Sequence, residues 1–378
     1  MSRVYIARCP AYEREDVDAA LQESLQALNH SQPLIRPGQR VILKVSLLQA
    51  QPPERGITTH PAVVAAVARW VRERGATPII ADSPMGPLNP GYLHRVYRAT
   101  GMAAAAEESG AFLNEDTAVT RLSCVEGCMV KSLEAMAVVA SADAVISLPK
   151  LKTHGLMQLT AATKNLFGTI PGITKAGYHT KLQTVREFAE MLIDIVCLYR
   201  PVLTITDAVV GMDENGPSGG RLRQIGLLLA STDAIASDVV ATSIIGWPAA
   251  SVPPLAAAMR RGLTTGRVED IEVWGARPET VRVADFRRPR AGIRNGAWVP
   301  QFALNVVTEQ LVASPRANAH CTACGTCVEN CPQHCITIVH GQAQMDFKRC
   351  IRCYCCHEDC PSNAIDLHQP ILGRLLNR

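Results

Sequence analysis

Aromatic side chains are scarce: Phe, Trp and Tyr make up 4% of the 378 residues. The core therefore has to come from Ala, Val, Ile and Leu, and an apolar content of 47% is enough to build one. A strong charge of either sign is also missing. Lys and Arg number 38 against 34 Asp and Glu, a formal charge of +4, which excludes a nucleic-acid binder driven by a broad basic surface. No run of 18 apolar residues occurs. The longest candidate, Ile225 to Ile245, is broken by Asp233 and Asp238, so no membrane-spanning helix is expected. The first residues carry Arg3, Arg8, Glu13 and Arg14 and no apolar stretch, so no secretory signal is expected. Periodic self-similarity of the solenoid kind is absent. Cysteine is nearly absent from the first 320 residues, which hold only Cys9, Cys124, Cys128 and Cys197.

The other ten of the 14 cysteines fall between Cys321 and Cys360. An even scatter would fit a disulfide scaffold. This clustering in a chain without a secretory signal reads as a metal domain appended to something larger. At ~150 residues per domain the length suggests two or three domains.

Residues 1–286 read as alternating strands and helices. Strands are expected at Arg40 to Ser46, Thr77 to Ala81, Ala144 to Leu148, Val202 to Thr206 and Ile225 to Ala230. Helices are expected from His60-Pro61 to Arg74, from the capping box Thr184-x-x-Glu187 to Tyr199, and from Thr232 to Ile245. Continuous apolar strands between helices are the pattern of an α/β fold: a mainly parallel sheet covered by helices on both faces. Ligands of such sheets collect beyond the C-terminal ends of strands, where Asp82, Lys150 and Asp207 are expected. Residues 287–317 read as a basic linker, with Arg287, Arg288, Arg290, Arg294 and Arg316 against Glu309. Phe302, Val306, Val307 and Leu311 would form one helical face there. Residues 318–378 form the cysteine domain.

Two motifs repeat within it: Cys321-x-x-Cys324-x-x-Cys327-x-x-x-Cys331-Pro332 and Cys350-x-x-Cys353-x-x-Cys356-x-x-x-Cys360-Pro361. A two-residue gap lets successive sulfurs turn around a four-iron cube, and the fourth thiolate comes from the other motif. One 4Fe–4S cluster is expected on Cys321, Cys324, Cys327 and Cys360, and a second on Cys350, Cys353, Cys356 and Cys331. Structural zinc sites would not need an eight-cysteine, proline-terminated repeat. The segment resembles a bacterial dicluster ferredoxin, a small α+β domain. Cys335 and Cys355 are surplus and read as buried thiols near a cluster.

Upstream, Lys150-Leu151-Lys152-Thr153-His154 follows a strand, and Lys164-Asn165-Leu166-Phe167-Gly168 comes ten residues later. Potential cations gathered around one strand end point into a cleft and suggest a small anionic ligand. Lys152 and His154 are the candidate catalytic groups; Lys150, Lys164, Asn165, Asp82, Asp207 and Asp213 are candidate ligand contacts. The stretch Gly211 to Gly220 holds four glycines and reads as a loop able to approach a ligand closely, although its spacing is neither a P-loop nor a dinucleotide fingerprint.

Thr58-Thr59-His60-Pro61, Ala81-Asp82-Ser83-Pro84, the segment Leu148 to Gly168 and the glycine loop together resemble the family known as domain of unknown function 362, over roughly residues 40–246. Members often carry a C-terminal dicluster ferredoxin. The resemblance implies a shared fold and site but supplies no reaction. Lys44-Val45-Ser46 stands where members more often show Lys-Pro-Asn, so Lys44 is left out of the expected site.

The leading expectation is an iron–sulfur redox protein passing electrons through two 4Fe–4S clusters to or from an anion at the lysines. The alternatives are a non-catalytic ferredoxin whose large domain docks a redox partner protein, and a metal or cofactor binding protein. A reducing, cytoplasmic setting is expected from the thiol content, with no nucleic acid as partner.

Overall fold

The computed structural model describes residues 2–28, 33–182, 184–289 and 312–370. The chain opens with β1 (Arg3–Arg8) and α1 (Arg14–Ala27). Then come β2 (Arg40–Lys44), α2 (Pro61–Glu73), β3 (Thr77–Ala81), α3 (Pro90–Ala99), α4 (Met102–Ser109) and the short β4 (Phe112–Leu113). A separate hairpin, β5 (Val119–Ser123) with β6 (Ser132–Met136), leads through the single turn α5 (Ala137–Ala140) to β7 (Ala144–Ser147), β8 (Lys150–His154) and β9 (Gln158–Thr160). Three helices follow, α6 (Ala162–Asn165), α7 (Gly172–Lys181) and α8 (Val185–Tyr199). The hairpin β10 (Leu203–Asp213) and β11 (Arg221–Ser231), then α9 (Ala234–Ile244), α10 (Pro253–Arg260) and β12 (Glu272–Gly275), complete the large domain.

Its ten-stranded sheet runs β12-β1-β11-β10-β7-β2-β3-β4, with β8 also on β10 and β9 on β8. Pairings from β10 through β7, β2 and β3 to β4 are parallel, as is β8 on β10; β11 is antiparallel to both neighbours. This is the expected mainly parallel α/β sheet. Alternation along β2 sends Val41 and Leu43 to the core under α1 and α2, and Ile42 to the core under α8 and α9. Helix starts follow local chemistry. Pro61 occupies the first turn of α2, where its missing N–H costs nothing, and His60 Nδ1 accepts from Ala62 N. Both halves of the Thr184–Glu187 capping box form at α8.

Several boundaries differ from the sequence expectations. Lys150–His154 is a strand, not a turn beyond one. β10 continues to Asp213, so Asp207 lies within a strand and not at its end; hydrogen bonding to β11 carries the pair past the bulge between Ala208 and Val210. The glycine loop shrinks accordingly to 214–220. Asp233 stands outside α9 as its N-cap, accepting from Ile235 N and Ala236 N. Beyond these boundaries, Arg260 and Arg261 pair with Glu190 and the fully buried Asp194, each at 2.8 Å. Asp194 also accepts three backbone N–H groups from the β5–β6 turn, among them that of Cys128.

The C-terminal unit is small and α+β: β13 (Ser314–Ala317), α11 (Thr326–Glu329), the hairpin β14 (Ile336–Val339) and β15 (Gln342–Met345), α12 (Cys355–Glu358) and β16 (Ile365–His368). β13 pairs with β16, so Ser314–Ala317 belongs to this unit and not to a linker. The linker face of Phe302, Val306, Val307 and Leu311, with Arg290, Arg294 and Glu309, lies outside the described residues. The unit sits against the 214–220 loop, where Ser218 Oγ donates to His357 O at 3.5 Å and His357 Nε2 lies 3.3 Å from Asn215 O. Gln51 Nε2 donates to Pro361 O at 3.1 Å.

Phe188 of α8 is fully buried, edge-on to Phe167 (ring centroids 5.2 Å apart) and stacked on His179 at 4.4 Å. Phe188→Ala leaves a void beneath both rings and is expected to destabilise the large domain by about 3–5 kcal/mol in urea unfolding.

Candidate functional site

Strand β8 explains why its basic residues meet. Alternation places Lys150, Lys152 and His154 on one face and Leu151 and Thr153 on the other. β8 runs parallel beside β10, with Lys150 opposite Asp207. A cavity opens there and, with its mouth, encloses about 700 Å³. Lys44, Lys150, Lys152, Lys164 and Lys175 all line it.

Two of the five lysines are neutralised. Lys44 Nζ lies 2.9 Å from Asp82 Oδ1 and donates to Val45 O and Asn165 Oδ1. Asp82 is saturated in turn, accepting from Ser83 N and Leu47 N. Asn165 locks this end of β2 by donating to Lys44 O and Ser147 Oγ. Gly168 passes directly over the pair, and a Cβ there would collide with Asp82 Oδ1 and Lys44 Nζ, so glycine is required. Lys150 Nζ meets Asp207 Oδ2 at 2.9 Å and Tyr12 Oη at 2.6 Å. Asp207 also accepts from Tyr12 Oη and His60 N, and the Tyr12 and His60 rings stack at 3.6 Å. Burial pushes both Lys44 and Lys150 down, and the partner carboxylate pulls each back.

The other three lack a carboxylate partner among the described residues. Lys152 Nζ donates to Ile57 O at 2.5 Å, Lys175 Nζ donates to Ser83 O, and Lys164 Nζ has no hydrogen-bond acceptor among the described residues. Burial brings Lys152 to about 7, with Lys164 adding to the fall, and Lys175 to about 8. Ser83 Oγ, buried and without a hydrogen-bond partner, also lines the cavity. Lys164 is held in place by Asp238, whose carboxylate accepts from Ala162 N, Thr163 N and Thr163 Oγ1 at the start of α6.

The C-terminal unit supplies one wall, Cys355 and Glu358. Glu358 Oε1 lies 2.9 Å from His154 Nε2. Since His154 Nδ1 accepts from Leu156 N and Met157 N, the ring is a neutral Nε2–H tautomer, and burial lowers its pKa to about 4. Within the unit two further hollows divide the cysteines. One is lined by Cys321, Cys324, Cys327 and Cys360. The other is lined by Cys331, Cys350, Cys353 and Cys356, with Cys335 and Cys355. Each holds three thiols of one motif and the fourth of the other, a donor set fitted to an iron–sulfur cube. Among the described residues, no three His, Cys, Asp or Glu side chains converge on a single metal ion.

The structure thus brings together Lys150, Lys152, Lys164, Asn165 and Asp82. It sets His154 behind the cavity wall, with both ring nitrogens engaged. Asp207 is fully buried behind Lys150. Asp213 is outside the site altogether: Arg221 and Arg223 grip it at 2.8 and 2.7 Å, and despite its burial they hold its carboxyl below the usual range. The sequence reading missed Lys44, Lys175, His179, Cys355 and Glu358 as lining residues. The Lys-x-x-x-His pair Lys175 and His179, one helical turn apart on α7, was the legible signal among them.

The family described as a domain of unknown function, DUF362, matches residues 41–243. A thylakoid-associated protein of Synechocystis sp. is 34% identical over 305 residues, covering 76% of this chain and 91% of that protein. Among solved structures, the lactate racemase apoprotein from Thermoanaerobacterium thermosaccharolyticum aligns at a TM-score of 0.37 and 11% identity, over 62% of this chain and 54% of that one. A Thermotoga maritima protein aligns at 0.32 and 10%, over 55% and 52%. This chain spans about half the length of each of the two structures. Among the described residues, no helix is long and apolar enough to cross a membrane.

Removing one member of the Lys44–Asp82 pair strands a buried charge. Lys44→Met and Asp82→Asn are each expected to cost about 3–5 kcal/mol in chemical unfolding, and the double variant clearly less than their sum.

Proposed function

We propose that this chain, which belongs to the DUF362 family, is an iron–sulfur redox protein that exchanges electrons with a small anion held among the lysines of its large domain. The observation that carries this reading is Cys355. Its side chain lines both the lysine cavity and the hollow of Cys331, Cys350, Cys353 and Cys356, so one residue's thickness separates the two. Cysteine-rich composition at the C-terminus is consistent with iron–sulfur binding, and two 4Fe–4S clusters on the crossed sets are the specific form proposed. Bound there, they would supply one-electron transfer.

The residues of the large domain then have separable tasks. Lys152 and Lys164 bind and orient the anion with charged N–H donors in a site largely shielded from water. Lys152, lowered to about 7 by burial, holds or releases a proton near neutrality and is the candidate catalytic group. Lys44, Asp82 and Asn165 form the fixed floor. His154 is assigned a different role from the one its sequence position suggests. Its Nε2 meets Glu358, so it positions the C-terminal wall and does not touch the anion. A redox partner protein would reach the other hollow, whose Cys324 is exposed. The thiol content favours a reducing compartment such as the cytoplasm.

Anaerobic protein is expected to contain about eight iron and about eight acid-labile sulfide per chain; about four of each after full reconstitution refutes two clusters. Cys360→Ala is expected to remove the EPR signal of the cluster on Cys321, Cys324 and Cys327, and Cys331→Ala that of the other. The opposite pairing would overturn the crossed assignment. An electron-carrier role without an anion site is favoured instead if Lys152→Met, with clusters intact, leaves every redox activity of the protein unchanged.

A further inference from the structure

The charge balance of the cavity specifies what it takes. Asp82 neutralises Lys44 and Asp207 neutralises Lys150, each at 2.9 Å. Lys152, Lys164 and Lys175 have no carboxylate within ion-pair distance among the described residues. The remaining acid in the lining is Glu358. When all three are protonated, three ammonium groups against one carboxylate leave an excess of two positive charges facing one space. Hydrogen bonding points the same way. Of the nine N–H donors on those three groups, two find acceptors among the described residues, and Ser83 Oγ adds another buried polar atom without a partner among them.

We propose that the cavity binds a small dianion, either a tetrahedral oxyanion or a short dicarboxylate. The inference rests on the anion-site reading above and goes beyond it by fixing the ligand's charge. A monoanion would leave one ammonium uncompensated, a state that burial penalises strongly, or leave Lys152 without its proton. The titratable groups facing Lys152 are Lys164, Glu358, Lys150 and Asp82; those facing Lys175 are Asp82, Lys44, Lys164 and Asp359. Since burial already holds Lys152 near 7, a dianion that restores its charge has to draw a proton from solvent above that pH.

The test is calorimetric titration of the anaerobically prepared full chain with two matched pairs. Sulfate is compared with methyl sulfate, which keeps the tetrahedral head and loses one charge. Succinate is compared with its monomethyl ester. In at least one pair the dianion is expected to bind at least ~tenfold more tightly than its monoanion, the loss of one charged hydrogen bond. Which pair responds distinguishes the tetrahedral from the dicarboxylate ligand. At a pH about one unit above the Lys152 value, the heat should depend on buffer ionisation enthalpy in the sense of proton uptake, and this dependence should fall in Lys152→Met, the remainder belonging to Lys175. Lys164→Met should weaken binding as well, while Lys181→Met, on the exposed end of α7, should not. Cluster absorbance and circular dichroism confirm that each variant is folded. Equal binding within both pairs, lost in the Lys152 and Lys164 variants, overturns the charge inference but leaves an anion site standing. No binding by any of the four probes, or binding indifferent to both lysines, overturns the two together.

Discussion

The burial of ammonium groups governs this structure. An unpaired charge inside a protein costs several kcal/mol, so each buried lysine has to find a carboxylate, lose its proton or wait for a ligand. All three solutions occur within one cavity. Lys44 and Lys150 are paired with Asp82 and Asp207. Lys152 is shifted toward neutrality by burial and by Lys164. Lys164, half-buried, has no acceptor for its donors among the described residues. The family-like segments are where this compensation is built. Thr59 Oγ1 ties the ends of β2 and β7 by accepting from Ser46 N and donating to Leu148 O. His60 N supports Asp207, and Gly168 leaves room for the Lys44–Asp82 pair.

The compensation also joins the two domains. Among the described residues, Glu358 is the acid brought to the cavity lining from outside the large domain, and it arrives on the same short helix as Cys355 and Cys356. His154 receives it as a neutral ring already pinned by two backbone N–H groups. The 214–220 loop acquires a role different from ligand binding: it seats His357. Gly216 is needed there because a Cβ would strike Thr153, whose Oγ1 accepts from Gly216 N. Docking of the cysteine unit, closure of the cavity and the placement of Cys355 between two hollows are thus one packing arrangement.

Much of this was legible beforehand. Apolar runs separated by amphipathic helices carry their own periodicity, so a mainly parallel sheet with helices on both faces follows from local pattern. The Thr184 capping box is local too. The cysteine repeat carries its spacing in the chain, and the two hollows divide its members as the crossed arrangement requires. Lys150, Lys152 and Lys164 stood out because charge is rare in that stretch.

What only the tertiary structure decided is which charges cancel. Asp82 and Asp207 look alike in sequence, each at an expected strand end, and Asp213 follows in the glycine stretch. Register on β8 gives Asp207 to Lys150, the β10–β11 hairpin gives Asp213 to Arg221 and Arg223, and the β2–β3 pairing gives Asp82 to Lys44. A carboxylate's partner depends on distances of a few ångströms between segments far apart in the chain, and hydrophobic periodicity carries no such information. For the same reason Glu358, separated from His154 by more than half the chain, was invisible as a member of the site. The sequence by itself determined the sheet, its helical cover and the spacing of the cysteines; the pairing of buried charges, and so the excess left in the cavity, waited for the fold.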